Sequence, residues 1–111
     1  MARGMFDGED IEIFLSEEDI ISLDTLKIEG KRLVCEPLEV ILELQGGKSL
    51  KAIIQKARPD FSDIGDGIKV EKTDYGFFVS INQQAYDRIV ENPLSGTRYN
   101  PCGSKINFRR E

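Results

Sequence analysis

Gly67-Ile68-Lys69-Val70-Glu71-Lys72-Thr73-Asp74-Tyr75-Gly76-Phe77-Phe78-Val79-Ser80-Ile81-Asn82-Gln83-Gln84-Ala85-Tyr86-Asp87-Arg88-Ile89 reads as a β-hairpin feeding a short helix. Pairing Lys72 with Phe77 across a turn at Thr73–Gly76 sets Val70 against Val79 and Ile68 against Ile81. One face then carries Ile68, Val70, Phe77, Val79 and Ile81. The other carries Lys69, Glu71, Phe78 and Ser80. A one-residue slip would put Val and Ile opposite Lys and Glu, which a half-buried sheet does not tolerate. Asp74 favours the turn through bonds to nearby backbone, and Gly76 accepts positive φ. Asn82 stands where a helix N-cap belongs. Ala85, Tyr86, Ile89 and Val90 recur at helical spacing, and Asn92-Pro93 stops the helix.

Outward from this unit, the 111 residues fit one domain with a modest core: 1–10 as a loose N-terminal segment and 11–111 as the folded part. Ile11 to Leu15 alternates like a strand. Ser16-Glu17-Glu18-Asp19 resembles a capping box, so a short helix follows to about Asp24. Its acids read either as a cation site or, more plainly, as a solvated helix start. Leu26–Ile28 and Arg32–Cys35 read as two short strands around a turn at Glu29-Gly30-Lys31. Leu38 to Leu44 reads as a core strand, broken by Gly46-Gly47.

Residues 49–58 admit two readings. As a helix, Ser49 caps and Leu50, Ile53, Ile54 and Ala57 form one stripe, with Arg58-Pro59 ending it. As a strand, Leu50, Ala52 and Ile54 face Leu44, Leu42 and Val40. Lys, Gln and Ala are better helix formers, so helix is preferred. Ile106-Asn107-Phe108 reads as a closing strand. The class expected from these pieces is α+β: an antiparallel sheet of five or six strands with two or three short helices.

Composition narrows the function classes. Apolar residues make up 40% and charged residues 32%, as in soluble globular proteins. No apolar run is long enough to span a bilayer, and residues 1–10 lack a signal-peptide core, so a cytoplasmic location without membrane association is expected. There is no histidine, which removes the commonest zinc ligand and general base, and no metal or cofactor site is expected. Cys35 and Cys102 lack metal-type spacing and read as buried free thiols. Asp60, Asp63 and Asp66 with Gly65 and Gly67 are oxygen-rich, but lack the order of a calcium loop.

The net charge of −5 hides an asymmetry: −7 over residues 1–30, −1 over 31–93 and +3 over 94–111. Such ends attract each other, within one chain or between copies, and this is the ground for expecting a homo-oligomer. The segment after the helix has the ingredients of an anion site. Gly96 and Gly103 allow close backbone approach, Ser95, Thr97 and Ser104 offer hydroxyls, Arg98 and Lys105 offer charge, and Tyr99 a stacking face. Its order is not that of a P-loop. Read blandly, it is an irregular surface loop.

The function expected from the sequence is a small non-catalytic binding module. Residues 95–105 would meet a phosphate-bearing or other anionic small molecule, or a protein partner. The alternative is an acidic inhibitor covering a basic site on a partner protein. Nucleic acid is disfavoured by the acidic head and the lack of a motif. A small enzyme using Cys102 is the weakest reading, since its thiol has no histidine base, although Arg98 and Lys105 could lower its pKa.

Overall fold

The computed structural model of the chain describes residues 2–56, 67–91, 98–99 and 106–110. Its strands are β1 (Ala2–Phe6), β2 (Ile11–Leu15), β3 (Leu26–Glu29), β4 (Arg32–Cys35), β5 (Leu38–Glu43), β6 (Ser49–Lys56), β7 (Ile68–Thr73), β8 (Gly76–Ile81), β9 (Arg98–Tyr99) and β10 (Ile106–Arg110). Two helices are described, α1 (Glu17–Leu23) and α2 (Gln83–Glu91). One sheet runs β7-β8-β6-β5-β1-β2-β10, extended at its last edge by the two-residue β9, and β3-β4 form a separate ribbon.

This overturns the expected antiparallel sheet of five or six strands. The main sheet is mixed and larger. Antiparallel pairs (β7–β8, β5–β6, β1–β2, β9–β10) are joined by parallel seams at β6–β8, β1–β5 and β2–β10. A hairpin's register is set by its own turn, whereas a parallel seam joins strands distant in sequence. The sheet is strongly curled. Phe6 on β1 and Phe77 on β8 meet edge to face with ring centroids 5.2 Å apart, although two strands separate β1 from β8. A flat sheet would hold those strands about 14 Å apart.

The hairpin of residues 68–81 has the expected register, with Ile68 opposite Ile81, Val70 opposite Val79 and Lys72 opposite Phe77. Asn82 Oδ1 accepts from the Ala85 N–H at 2.8 Å, and Asn82 N–H donates to the Gly67 carbonyl at 2.8 Å. The Ser16 capping box is formed: Ser16 Oγ accepts from Asp19 N–H, and Asp19 Oδ2 accepts from Ser16 N–H.

Two segments differ from expectation. Residues 49–56 are strand β6, not helix. β6 lies between β5 and β8, where alternation buries Ala52, Ile54 and Lys56. Its register on β5 is Leu42 opposite Leu50 and Val40 opposite Ala52, two residues from the strand alternative. Residues 2–6, expected to be loose, form β1 inside the sheet. There a Cβ on Gly4 would stand 2.4 Å from the Glu12 carbonyl oxygen, so only glycine fits between β2 and β5.

The core fills the concave face: Ile11, Ile13, Leu15, Val40, Leu42, Ile54, Val79, Ile81, Ile106 and Phe108 are essentially sealed, closed over by Ile20 and Leu23 of α1 and Ala85 and Ile89 of α2. Lys56 reaches into this layer. Its ammonium pairs with Asp24 and lies 4.7 Å from the centre of the Tyr86 ring, whose hydroxyl donates to the Ile20 carbonyl at 2.9 Å. A buried cation is tolerable only with such partners. The cluster is therefore a structural staple between β6, α1 and α2. Burial raises the Tyr86 phenol above its usual range. Among the described residues no helix is long and apolar enough to cross a membrane.

Candidate functional site

Among the described residues no helix covers the convex face of the sheet, and its side chains follow from register. Ser49, Glu43, Met5, Glu12 and Asn107 are successive partners across β6, β5, β1, β2 and β10. Directly opposed residues share a face. Glu43, Met5, Glu12 and Asn107 thus form one row near an end of the sheet.

Beside this row, the β1–β2 and β5–β6 turns raise walls. Asp7 and Asp10 come from the first, Leu44 and Gln45 from the second. Together they enclose a cleft of about 450 Å³, which Phe6 and Ile11 also line. Asp7 shapes its turn: Oδ1 accepts from the Glu9 N–H at 2.9 Å and the Asp10 N–H at 2.7 Å. Those donors hold its carboxyl below the usual carboxylate range. Glu12 is ion-paired with Arg109, one strand over on β10.

Acceptors outnumber donors among the cleft's polar groups: the carboxylates of Asp7, Asp10, Glu12 and Glu43 join the Gln45 and Asn107 amides, which bring both. Among the described residues, the buried Asn107 Oδ1 has no hydrogen-bond partner. A buried acceptor without a donor costs about 1–3 kcal/mol, so a donor arriving from outside would be favoured. The arrangement suits a cationic or donor-rich group. Among the described residues no cluster of acids and cysteines is built to hold a metal ion.

A second, shallower groove of about 280 Å³ runs between the helices, floored by Ile20, Ile21, Tyr86 and Val90 and edged by Glu17, Asp87 and Glu91. It too is acid-rimmed.

Of the sequence-predicted anion-site residues, Arg98 and Tyr99 form β9, with backbone positions opposite Asn107 and Ile106. Ser95, Thr97, Gly103, Ser104 and Lys105 lie outside the described residues, as do Cys102 and the Asp60–Asp66 run. Cys35 is buried and free. Sequence reasoning missed the Glu43–Met5–Glu12–Asn107 row. The outward directions of Glu12 and Asn107 were readable from alternation, but Met5 lay in a segment expected to be loose, and the β1–β5 and β2–β10 adjacency was not readable. Comparisons with family models, curated protein sequences and solved structures gave no match.

Proposed function

We propose that this chain is a small cytoplasmic, non-catalytic binding module whose acidic cleft receives a cationic group of a protein partner. The observation that carries this is the Glu43–Met5–Glu12–Asn107 row, whose buried Asn107 oxygen has no partner among the described residues. The acidic rim of the groove between α1 and α2 supports it. Of the readings drawn from sequence, this one favours the acidic inhibitor over the anion-binding loop. The anion reading of residues 95–105 rests on composition.

Calorimetric titration with an oligolysine peptide tests it, with tripolyphosphate as the opposite probe. Oligolysine should bind in a salt-sensitive way, and Glu43→Gln should weaken it about two- to fivefold, the worth of one exposed charge contact. Tripolyphosphate binding that Arg98→Ala abolishes, with no oligolysine binding, would overturn the proposal in favour of the anion loop.

A further inference from the structure

The β3–β4 ribbon is rooted in the body, and among the described residues no strand pairs with the outer edge of β3. At its base Glu36 N–H donates to the Thr25 carbonyl at 2.8 Å, and Gln55 Nε2 donates to the Cys35 carbonyl at 2.8 Å. Beyond that base, all four residues of β3 are exposed, with Leu26 at 60% and Ile28 at 76%. On β4, Leu33, opposite Ile28, is exposed at 54%. A two-stranded ribbon with an uncovered apolar face is marginally stable in water.

The geometry of β3 says what could complete it. The turn Gly30-Lys31 has two residues, so Glu29 and Arg32 close it as a hydrogen-bonded pair. Bonding then alternates along the ribbon: Glu29 and Lys27 aim their backbone groups at β4, while Ile28 and Leu26 aim theirs outward. The outer edge of β3 therefore presents the N–H and C=O of Ile28.

We propose that this edge pairs with the same edge of a second copy, two β3 strands antiparallel about a two-fold axis at Ile28. In that register Ile28 faces Ile28 and exchanges both backbone bonds with it. Lys27 of each copy stands opposite Glu29 of the other, giving two cross-strand charge pairs. Leu26 stands opposite Gly30, which has no side chain to obstruct it. Centring the axis on Lys27 instead would oppose like charges. The two ribbons merge into one four-stranded sheet, with Leu26, Ile28 and Leu33 of both copies on a common face. The contact belongs to the small interface class, under about 1,200 Å², so it forms and dissolves with concentration. This does not depend on the acidic cleft, which lies on the main sheet.

Sedimentation velocity from micromolar to millimolar protein tests it. The wild type should pass from a 12.5 kDa monomer toward a dimer. Lys27→Glu or Glu29→Lys alone should weaken association about tenfold, and the double exchange should restore it to within about threefold. Ile28→Pro should abolish it while leaving the unfolding midpoint nearly unchanged, because the lost N–H points away from β4. A monomer at every concentration overturns the proposal. So does a dimer that Ile28→Pro leaves intact, or one in which the double exchange is no better than the singles.

Discussion

Leu26-Lys27-Ile28-Glu29 and Ile68-Lys69-Val70-Glu71 carry the same pattern, aliphatic, lysine, aliphatic, glutamate, and both open a hairpin with a two-residue turn. Their fates differ. Ile68 is 8% exposed in the main sheet, while Ile28 is 76% exposed on the ribbon. The difference lies in the second strand of each hairpin. β8 seats against β6 and carries on into α2, whose Ala85 and Ile89 join the same core, whereas β4 leads to Pro37 and, among the described residues, no helix closes over it. A local pattern thus specifies a strand and its face; burial is decided by what arrives from elsewhere in the chain.

The largest break in this comparison should come at the turns. Gly76 sits at φ +147°, and a Cβ there would stand 2.1 Å from the Lys51 carbonyl oxygen, so Gly76→Val should cost about 4 kcal/mol or more in urea unfolding. Gly30, at φ +64° with open space around it, should cost only about 1 kcal/mol as Gly30→Ala. Next come the side chains. Ile81→Ala, at a sealed position, should cost about 3 kcal/mol, whereas Ile28→Ala should stay within about 0.5 kcal/mol in dilute monomer. Equal losses at the two sites would mean that the ribbon is as well packed as the sheet.

A smaller effect belongs to the junction that only one hairpin has. Asn82→Ala removes the α2 cap and should cost about 1 kcal/mol, read by the same unfolding curve. Smallest is a pH effect. The Tyr86 phenol is raised by burial above its ordinary value of 10.0, so its contribution is complete below that pH and is lost as pH rises through the folded-state value. Tyr86→Phe should flatten that alkaline decline while costing about 0.5–1 kcal/mol near neutrality through the lost bond to Ile20.

What the sequence made legible was local. The β7–β8 register, both caps, β2, the β3–β4 turn and the closing β10 all follow from neighbouring residues. Phe78, placed by alternation on the Lys69 and Glu71 face, is half-buried there. What it concealed was non-local. Lys51, Gln55 and Lys56 argue for helix until Asp24 and Tyr86, remote in sequence, give Lys56 partners. Ala2 and Gly4 suggest a loose segment because they are small, yet they are small because β2 and β5 press on both sides. The acidic row was hidden likewise, since its strands are neighbours only through the parallel seams.

Those seams also set a timetable. β2 joins β10 with Ile11 beside Ile106, so an inner strand receives its second neighbour only once residues 106–110 have been made. Each hairpin can form within microseconds of its own synthesis, but β2 gains its second partner only when residues 106–110 have left the ribosome. Until then β2 carries a bare, aliphatic edge, the kind of surface that draws holdase chaperones and nascent neighbours.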